Sequence, residues 1–190
     1  MKIRAAVLRE MGLAAPYAQS RPIRITEAEL DPPGMGEVLV KTRVAGLCHS
    51  DLSVISGDRP RGMPLALGHE SSGEVVQVGP GVDDLKPGDH VVTVFVPSCG
   101  GCAPCMQGRP ALCEPGARAN TQGTLLGGAR RLHVGDEALN HHLGVSCFAD
   151  HAVVSRRSCV KIEAELSHRE AALFGCAVLT GAGAIINRAR

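Results

Sequence analysis

The sequence predicts a mainly β fold with short helices, wrapped into a compact barrel with a metal-held lobe beside it. Three observations predict it. Short runs rich in Val, Ile and Thr alternate apolar and polar residues, the period of a half-buried sheet. Gly/Pro breakers separate those runs at short, even spacing, as small barrels require. Four cysteines then crowd into residues 99–113.

The elements follow in order. "IRAAVLRE" (3–10), "PIRITEAEL" (22–30), "GEVLVKTRVAGL" (36–47), "GHESSGEVVQVG" (68–79) and "GDHVVTVFV" (88–96) read as strands. "DPPGMG", "GDRPRGMP" and "GPGVDDLKPGD" read as the turns between them. The cysteine lobe comes next, spanning 97–115. Pro104 and Pro110 argue there against a helix or a central strand. Residues 115–140 are Gly-rich and read as irregular. "CFADHAVVSRRSCVKI" (147–162) resumes strand character. Ser167 and Glu170 form a capping-box signature for a helix through Ala171–Phe174.

Composition bounds the function. The 190 residues are 44% hydrophobic and 21% charged, ordinary for a globular protein. A net charge of +1 and 2% aromatics give no electrostatic or stacking case for nucleic acid. No stretch approaches ~18 uninterrupted apolar residues, so no membrane span is expected. "MKIRAAVLRE" reaches Glu10 too soon for a signal peptide's apolar region. The expected location is cytoplasmic, where thiols stay reduced and a dense cysteine cluster points to metal or catalysis.

Cys99, Cys102, Cys105 and Cys113 are spaced C-x2-C-x2-C-x7-C. Glycines at 100, 101 and 108 give the loose backbone that wraps thiols around one ion. Four thiolates suit a closed structural zinc. An iron–sulfur run of the bacterial ferredoxin kind would close with C-x3-C-P, which is not the spacing here. Disulfides or uninvolved thiols are the remaining readings. A closed zinc site holds a lobe together and does not by itself supply a reaction.

A second constellation is spread along the chain: Cys48, His49, Ser50 and Asp51 in "AGLCHSDLSVISG", His69 and Glu70 in "GHESSGEVVQVGPGV", and Cys176 and Thr180 in "LFGCAVLTGAGA". Two thiolates and an imidazole are one set that holds a catalytic zinc with an open position. Taken singly, a Cys is more often a small buried hydrophobe, and His69 more often a surface or hydrogen-bonded residue.

The neighbourhoods change that weighing. "GHESSGEVVQVGPGV" fits G-H-E-x2-G-x5-G-x2-V throughout. It resembles the signature of the zinc-containing alcohol dehydrogenases, the medium-chain dehydrogenase/reductase family. "GLCHSDLSVISG", "CGGCAPCMQGRPALC", "GTLLGGARRLHVGDEALNHHLGVSCFADHAVV" and "GCAVLTGAGA" resemble successive regions of the same family, in order. The resemblance runs the length of the chain and implies a GroES-like, partly open β-barrel with a zinc-held lobe.

It also implies roles. Cys48, His69 and Cys176 match the catalytic zinc ligands, and Cys99, Cys102, Cys105 and Cys113 the structural ones, giving two zinc ions per chain. Glu70 matches a carboxylate close behind the metal. Asp51 matches the acid that orients the ligating His. Ser50 matches a hydroxyl that passes the alcohol proton toward solvent. His49 stands where a basic residue faces the cofactor pyrophosphate, Thr180 where the nicotinamide is contacted, and Phe95 where a residue lines the substrate pocket. The implied activity interconverts an alcohol and an aldehyde or ketone by hydride transfer to NAD or NADP. The zinc lowers the pKa of the alcohol held on it, so that the substrate reacts as alkoxide. Many members carry a His three residues after the position of Ser50; here Ser53 stands there, and no final base is named.

The resemblance divides the chain into a GroES-like catalytic domain, 1–175, and the start of a nucleotide-binding domain, 176–190. "GAGAII" at 181–186 lacks the third glycine of a dinucleotide fingerprint. Gly181 and Gly183 are read as a close helix-packing region. The chain is therefore expected to be part of a longer enzyme, homo-oligomeric in full, and to have little turnover alone; the alternative is a non-catalytic zinc-binding domain. His141 and His142 are expected to be surface or structural, Cys147 and Cys159 buried thiols, and the Arg pairs at 130–131 and 156–157 solvated.

Overall fold

In a computed structural model that describes residues 1–189, eleven strands form two sheets. They are β1 (Lys2–Leu8), β2 (Ile23–Leu30), β3 (Glu37–Gly46), β4 (Leu65–Ala66), β5 (Glu70–Val78), β6 (His90–Thr93), β7 (Leu132–Val134), β8 (Glu137–Ala138), β9 (Asn140–His141), β10 (His151–Ser155) and β11 (Cys159–Ile162). One sheet has the order β8-β7-β2-β1-β4-β9, the other β10-β3-β5-β6-β11. Pairing is antiparallel except between β4 and β9.

Strand periodicity builds two cores from these sheets. Leu39 of β3 and Val153 of β10 face one core with Ile3, Val7, Leu30 and Leu132. Their neighbours Val38, Val40, Ala152 and Val154 face the other with Val75 and Val91. Successive strand residues point to opposite faces, so one sheet serves both cores. Each fully buried Val or Leu contributes about 1.5–3 kcal/mol. Residues 148–150 stitch the sheets into a nearly closed barrel. The Ala6 N–H donates to the Phe148 carbonyl at 2.8 Å, and the Thr42 N–H to the Asp150 carbonyl at 3.1 Å.

Among the described residues six α-helices decorate the barrel: α1 (Tyr17–Ser20), α2 (His49–Ile55), α3 (Ala103–Met106), α4 (Glu114–Gln122), α5 (His168–Ala171) and α6 (Leu179–Asn187). A π-turn, Phe174–Val178, lies between the last two. Ser167 caps α5 as expected, its Oγ accepting from the Glu170 N–H at 3.3 Å and donating to the Glu170 carboxylate at 2.6 Å.

Several expectations are corrected. The stretch 115–140 is not irregular: it holds α4, β7, β8 and β9. Gly116 and Pro115 hid α4. Pro115 sits in the first turn, where a missing N–H costs nothing, and a Cβ at Gly116 would run into the Pro97 carbonyl. Pro104 and Pro110 likewise open α3 and a 3-10 turn instead of excluding them. The strand read over 147–162 is two strands parted by a 3-10 turn, Arg156–Ser158. Gly181 and Gly183 pack against no neighbouring element among the described residues, and α6 buries no residue there. Arg131 and Arg156 are half-buried and ion-paired, to Glu37 at 2.8 Å and Asp84 at 2.6 Å. The run His168–Asn187, with a mean hydropathy of 1.5, has the length and composition of a membrane-crossing helix. It is broken by the π-turn, and His168 in its first turn bonds Ser72 Oγ of β5 at 2.8 Å.

His141 and His142 are buried, not surface residues, each 1% exposed. His141 Nε2 accepts the Arg131 N–H at 3.1 Å. Burial, helped by the Arg130 and Arg131 charges, pushes its pKa down to about 3. A base held neutral in the fold binds fewer protons than in the unfolded chain. Its stabilising contribution is therefore full above the ordinary value of 6.5 and is lost as pH falls toward about 3. Denaturant unfolding is expected to show stability falling across that window, this residue contributing up to about 1.4 kcal/mol per pH unit. His141→Gln should reduce the slope by about one proton; an unchanged slope contradicts this assignment.

Candidate metal centres

Backbone amides shape the first centre. The Cys99 Sγ accepts the N–H groups of Gly101 at 3.4 Å and Cys102 at 3.3 Å. The Cys113 Sγ accepts those of Cys99 at 3.1 Å and Gly116 at 3.3 Å, the last as the cap of α4. Amide hydrogens aimed at sulfur favour the thiolate. They bring Cys99 down to about 6, while burial and the neighbouring thiols push Cys105 up to about 11. All four cysteines are free, and their sulfurs lie within 4.8 Å of one another. Four sulfurs at ~2.3 Å from one zinc stand ~3.8 Å apart, so the cluster fits a tetrahedral site after small closure.

The second centre draws on three distant stretches. Cys48 caps α2: its Sγ accepts the Ser50 N–H at 3.5 Å, and Asp51 Oδ2 accepts the Cys48 N–H at 3.2 Å. His69 follows Gly68, whose φ of +95° favours glycine; a Cβ there would stand 2.6 Å from Phe148. Cys176 sits in the π-turn directly after Gly175, where any Cβ would collide with the Thr93 carbonyl. Ligand atoms of Cys48, His69, Glu70 and Cys176 all lie within 4.8 Å of one another.

Asp51 organises this centre from behind. Its Oδ1 accepts from His69 Nδ1 at 3.2 Å and lies 3.1 Å from His142 Nδ1. With Nδ1 engaged, His69 keeps Nε2 as its donor atom. Burial opposes the Asp51 charge, but His142 and then His69 outweigh it and hold the carboxyl well below the usual range. Burial also opposes a charge on His69, yet Asp51 and then Cys48 raise its pKa. Burial, with the Glu70 carboxylate and Cys48, pushes Cys176 up to about 12. Two thiolates and a carboxylate held this close repel one another, and the imidazole beside them offers a neutral nitrogen; a divalent cation relieves the repulsion, so the donor set fits zinc.

The other residues singled out in the sequence gather here. A cavity of about 890 Å³ is lined by His49, Ser50, Phe95 and Thr180, beside Cys48, His69, Glu70 and Cys176. Phe95 meets the His69 ring edge-on, centroids 6.0 Å apart. His49 Nδ1 lies 3.3 Å from Ser53 Oγ. Sequence reasoning missed His142. Adjacent residues do point apart, His141 to Arg131 and His142 to Asp51, and that divergence is what delivers one of them to the site. Its ring stands at 89° to that of His69, centroids 5.4 Å apart. Only the His-His doublet signalled it.

A barrel carrying one four-cysteine centre and one Cys/His/Cys centre is a metal-binding domain with a substrate-sized cavity. Residues 34–164 match the model of the alcohol dehydrogenase GroES-like domain, and the chain belongs to that family. It is 40% identical over 191 aligned positions to S-(hydroxymethyl)glutathione dehydrogenase of Escherichia coli O1:K1 / APEC, covering 100% of this chain and 50% of that protein. The same figures hold for the Shigella sonnei (strain Ss046) protein of that name. The chain thus spans about half the length of the curated relatives it matches. Among solved structures it is similar to an alcohol dehydrogenase zinc-binding domain protein from Burkholderia ambifaria, with TM-score 0.88 and 35% identity over 98% of this chain and 49% of that one. It is also similar to benzyl alcohol dehydrogenase from Acinetobacter calcoaceticus, with TM-score 0.85 and 33% identity over 98% and 48% of the two chains.

Partners of a ligating His fix its tautomer and basicity, and their loss costs about 10–100-fold in metal affinity. His142→Ala should weaken zinc at the Cys48 centre by that order and leave the four-cysteine centre loaded, with His142→Gln partly restoring it. Competition with a chromophoric chelator reads both sites. Unchanged affinity in His142→Ala would show that the His142 ring does not help to hold the Asp51–His69 pair.

Proposed function

We propose that the chain is the catalytic domain of a zinc-dependent alcohol dehydrogenase, interconverting an alcohol and an aldehyde or ketone with NAD or NADP. One observation carries the reading: Cys48, His69 and Cys176 converge at the wall of a cavity able to hold a small molecule. When bound, zinc supplies Lewis acidity that lowers the pKa of a ligated hydroxyl and polarises a carbonyl. The chain's own residues do the rest. Cys48, His69 and Cys176 would hold the metal at the cavity wall. Asp51 keeps His69 in the tautomer that ligates. Ser50, on the cavity wall, takes the substrate proton and hands it toward solvent. Phe95 excludes water and orients the substrate. His49 and Thr180 meet the dinucleotide.

Cys99, Cys102, Cys105 and Cys113 hold a second, structural zinc. Cys113 ties that metal to α4 and so to the cavity wall, where Ala117 and Thr121 of α4 stand. The reading carries with it a cytoplasmic, homo-oligomeric parent enzyme. It also has residues 176–190 leading into a nucleotide-binding domain, for which the exposed Leu179, Ile185 and Ile186 offer apolar surface.

Metal analysis tests the reading. The purified protein should hold two zinc ions per chain, and Cys48→Ala one. In a form that carries a dinucleotide-binding domain, alcohol-dependent reduction of NAD or NADP should fall by several orders of magnitude in Cys48→Ala. Full activity in that variant contradicts the assignment.

A further inference from the structure

We propose that the cavity of the Cys48–His69–Cys176 centre takes an alcohol or aldehyde carrying a carboxylate remote from its reacting carbon, and that Arg61, assisted by Arg59, reads that carboxylate. The inference rests on the proposed dehydrogenase reading and narrows its substrate class.

Arg59 and Arg61 both line the cavity. Three arginines are half-buried among the described residues: Arg61, Arg131 and Arg156. Arg131 is paired with Glu37 at 2.8 Å, and Arg156 with Asp84 at 2.6 Å. Arg61 has no acidic partner among the described residues, and its Nε is buried without any hydrogen-bond partner. A sheltered cation with an unsatisfied donor is costly, and the cost is met when an anion arrives. A guanidinium is also the side chain whose donors match a carboxylate in two parallel bonds.

The position of Arg61 fits that role. Arg61 is half-buried, set into the cavity wall that it shares with His69, Glu70 and His142. Arg59 is exposed, so it stands nearer the solvent side and adds positive potential along the way in. Val54, Phe95, Val96, Ala111 and Leu143 make much of the remaining wall apolar. The ligand that satisfies all of this has a reacting hydroxyl or carbonyl at the metal, an apolar body and one anionic end. The other anion a dehydrogenase meets is the dinucleotide's diphosphate, and the test separates the two.

The probes are 4-(hydroxymethyl)benzoate and benzyl alcohol, which share a ring and a reacting hydroxyl and differ by one carboxylate. Each is titrated into the cobalt(II)-loaded full chain while the visible cobalt bands are followed. The carboxylate ligand should bind at least about tenfold tighter, the scale of one charge-assisted hydrogen bond. Arg61→Gln should bring the two affinities to within about twofold, and Arg61→Lys, which keeps charge without the fork, should fall between. Circular dichroism and the cobalt spectrum of each variant establish that it is folded and loaded. Equal binding of the two probes overturns the inference. So does a preference that survives in both Arg61→Gln and Arg59→Gln, or a loss in Arg61→Gln confined to adenosine diphosphate ribose. If neither probe perturbs the cobalt bands, the dehydrogenase reading itself fails, and this inference with it.

Discussion

One buried carboxylate does most to set the candidate site. Asp51 is 3% exposed, and no lysine or arginine is paired with it among the described residues. It accepts from the His69 ring and the Cys48 N–H, and the His142 Nδ1 stands 3.1 Å away. Those contacts tie α2, the start of β5 and the loop after β9 to a single atom group. A charge so placed is tolerable only with every partner present. The arrangement therefore fixes Cys48, through its own backbone, and His69, through its ring, at once.

Close backbone approach supplies the rest. Gly68 and Gly175 each precede a residue that donates to the second centre, and at each a side chain would collide with a neighbouring strand or loop. Sheet register alone delivers a residue to within a few ångströms of its place. Removing the Cβ at these two positions lets the chain come nearer, and that brings His69 and Cys176 to the thiol of Cys48. The four-cysteine lobe works differently. It is local in sequence, shaped by N–H···S bonds, and joined to the cavity through the cap that Cys113 gives α4.

What was legible in the sequence divides along the same line. Strands β1, β2, β3, β5 and β6 and the cap at Ser167 were legible because period-two alternation and capping are local; the two-residue β4 was not. So was the cysteine cluster, through its spacing. The helix α4 was not, because Gly116 is there for the Pro97 carbonyl and weakens the helical signal that α4 would otherwise give. His142 was not, because its partner Asp51 lies far away in sequence and only tertiary contact makes the pair. Bringing Cys48, His69 and Cys176 together in one site rested on resemblance, since spacings this large carry no geometry. Arg61 falls in a segment legible only as a turn, and it is the fold that leaves it half-buried with its Nε unpaired.

The central claim is that this chain builds two separate zinc centres, one closed by four thiolates and one open to the cavity. Anomalous scattering from crystals of the zinc-loaded protein, collected on both sides of the zinc edge, tests it directly. The account predicts two zinc peaks, one enclosed by Cys99, Cys102, Cys105 and Cys113, the other held by Cys48, His69 and Cys176 with a position facing Phe95. A single peak at the four-cysteine lobe, with Cys48 and Cys176 apart, would contradict it.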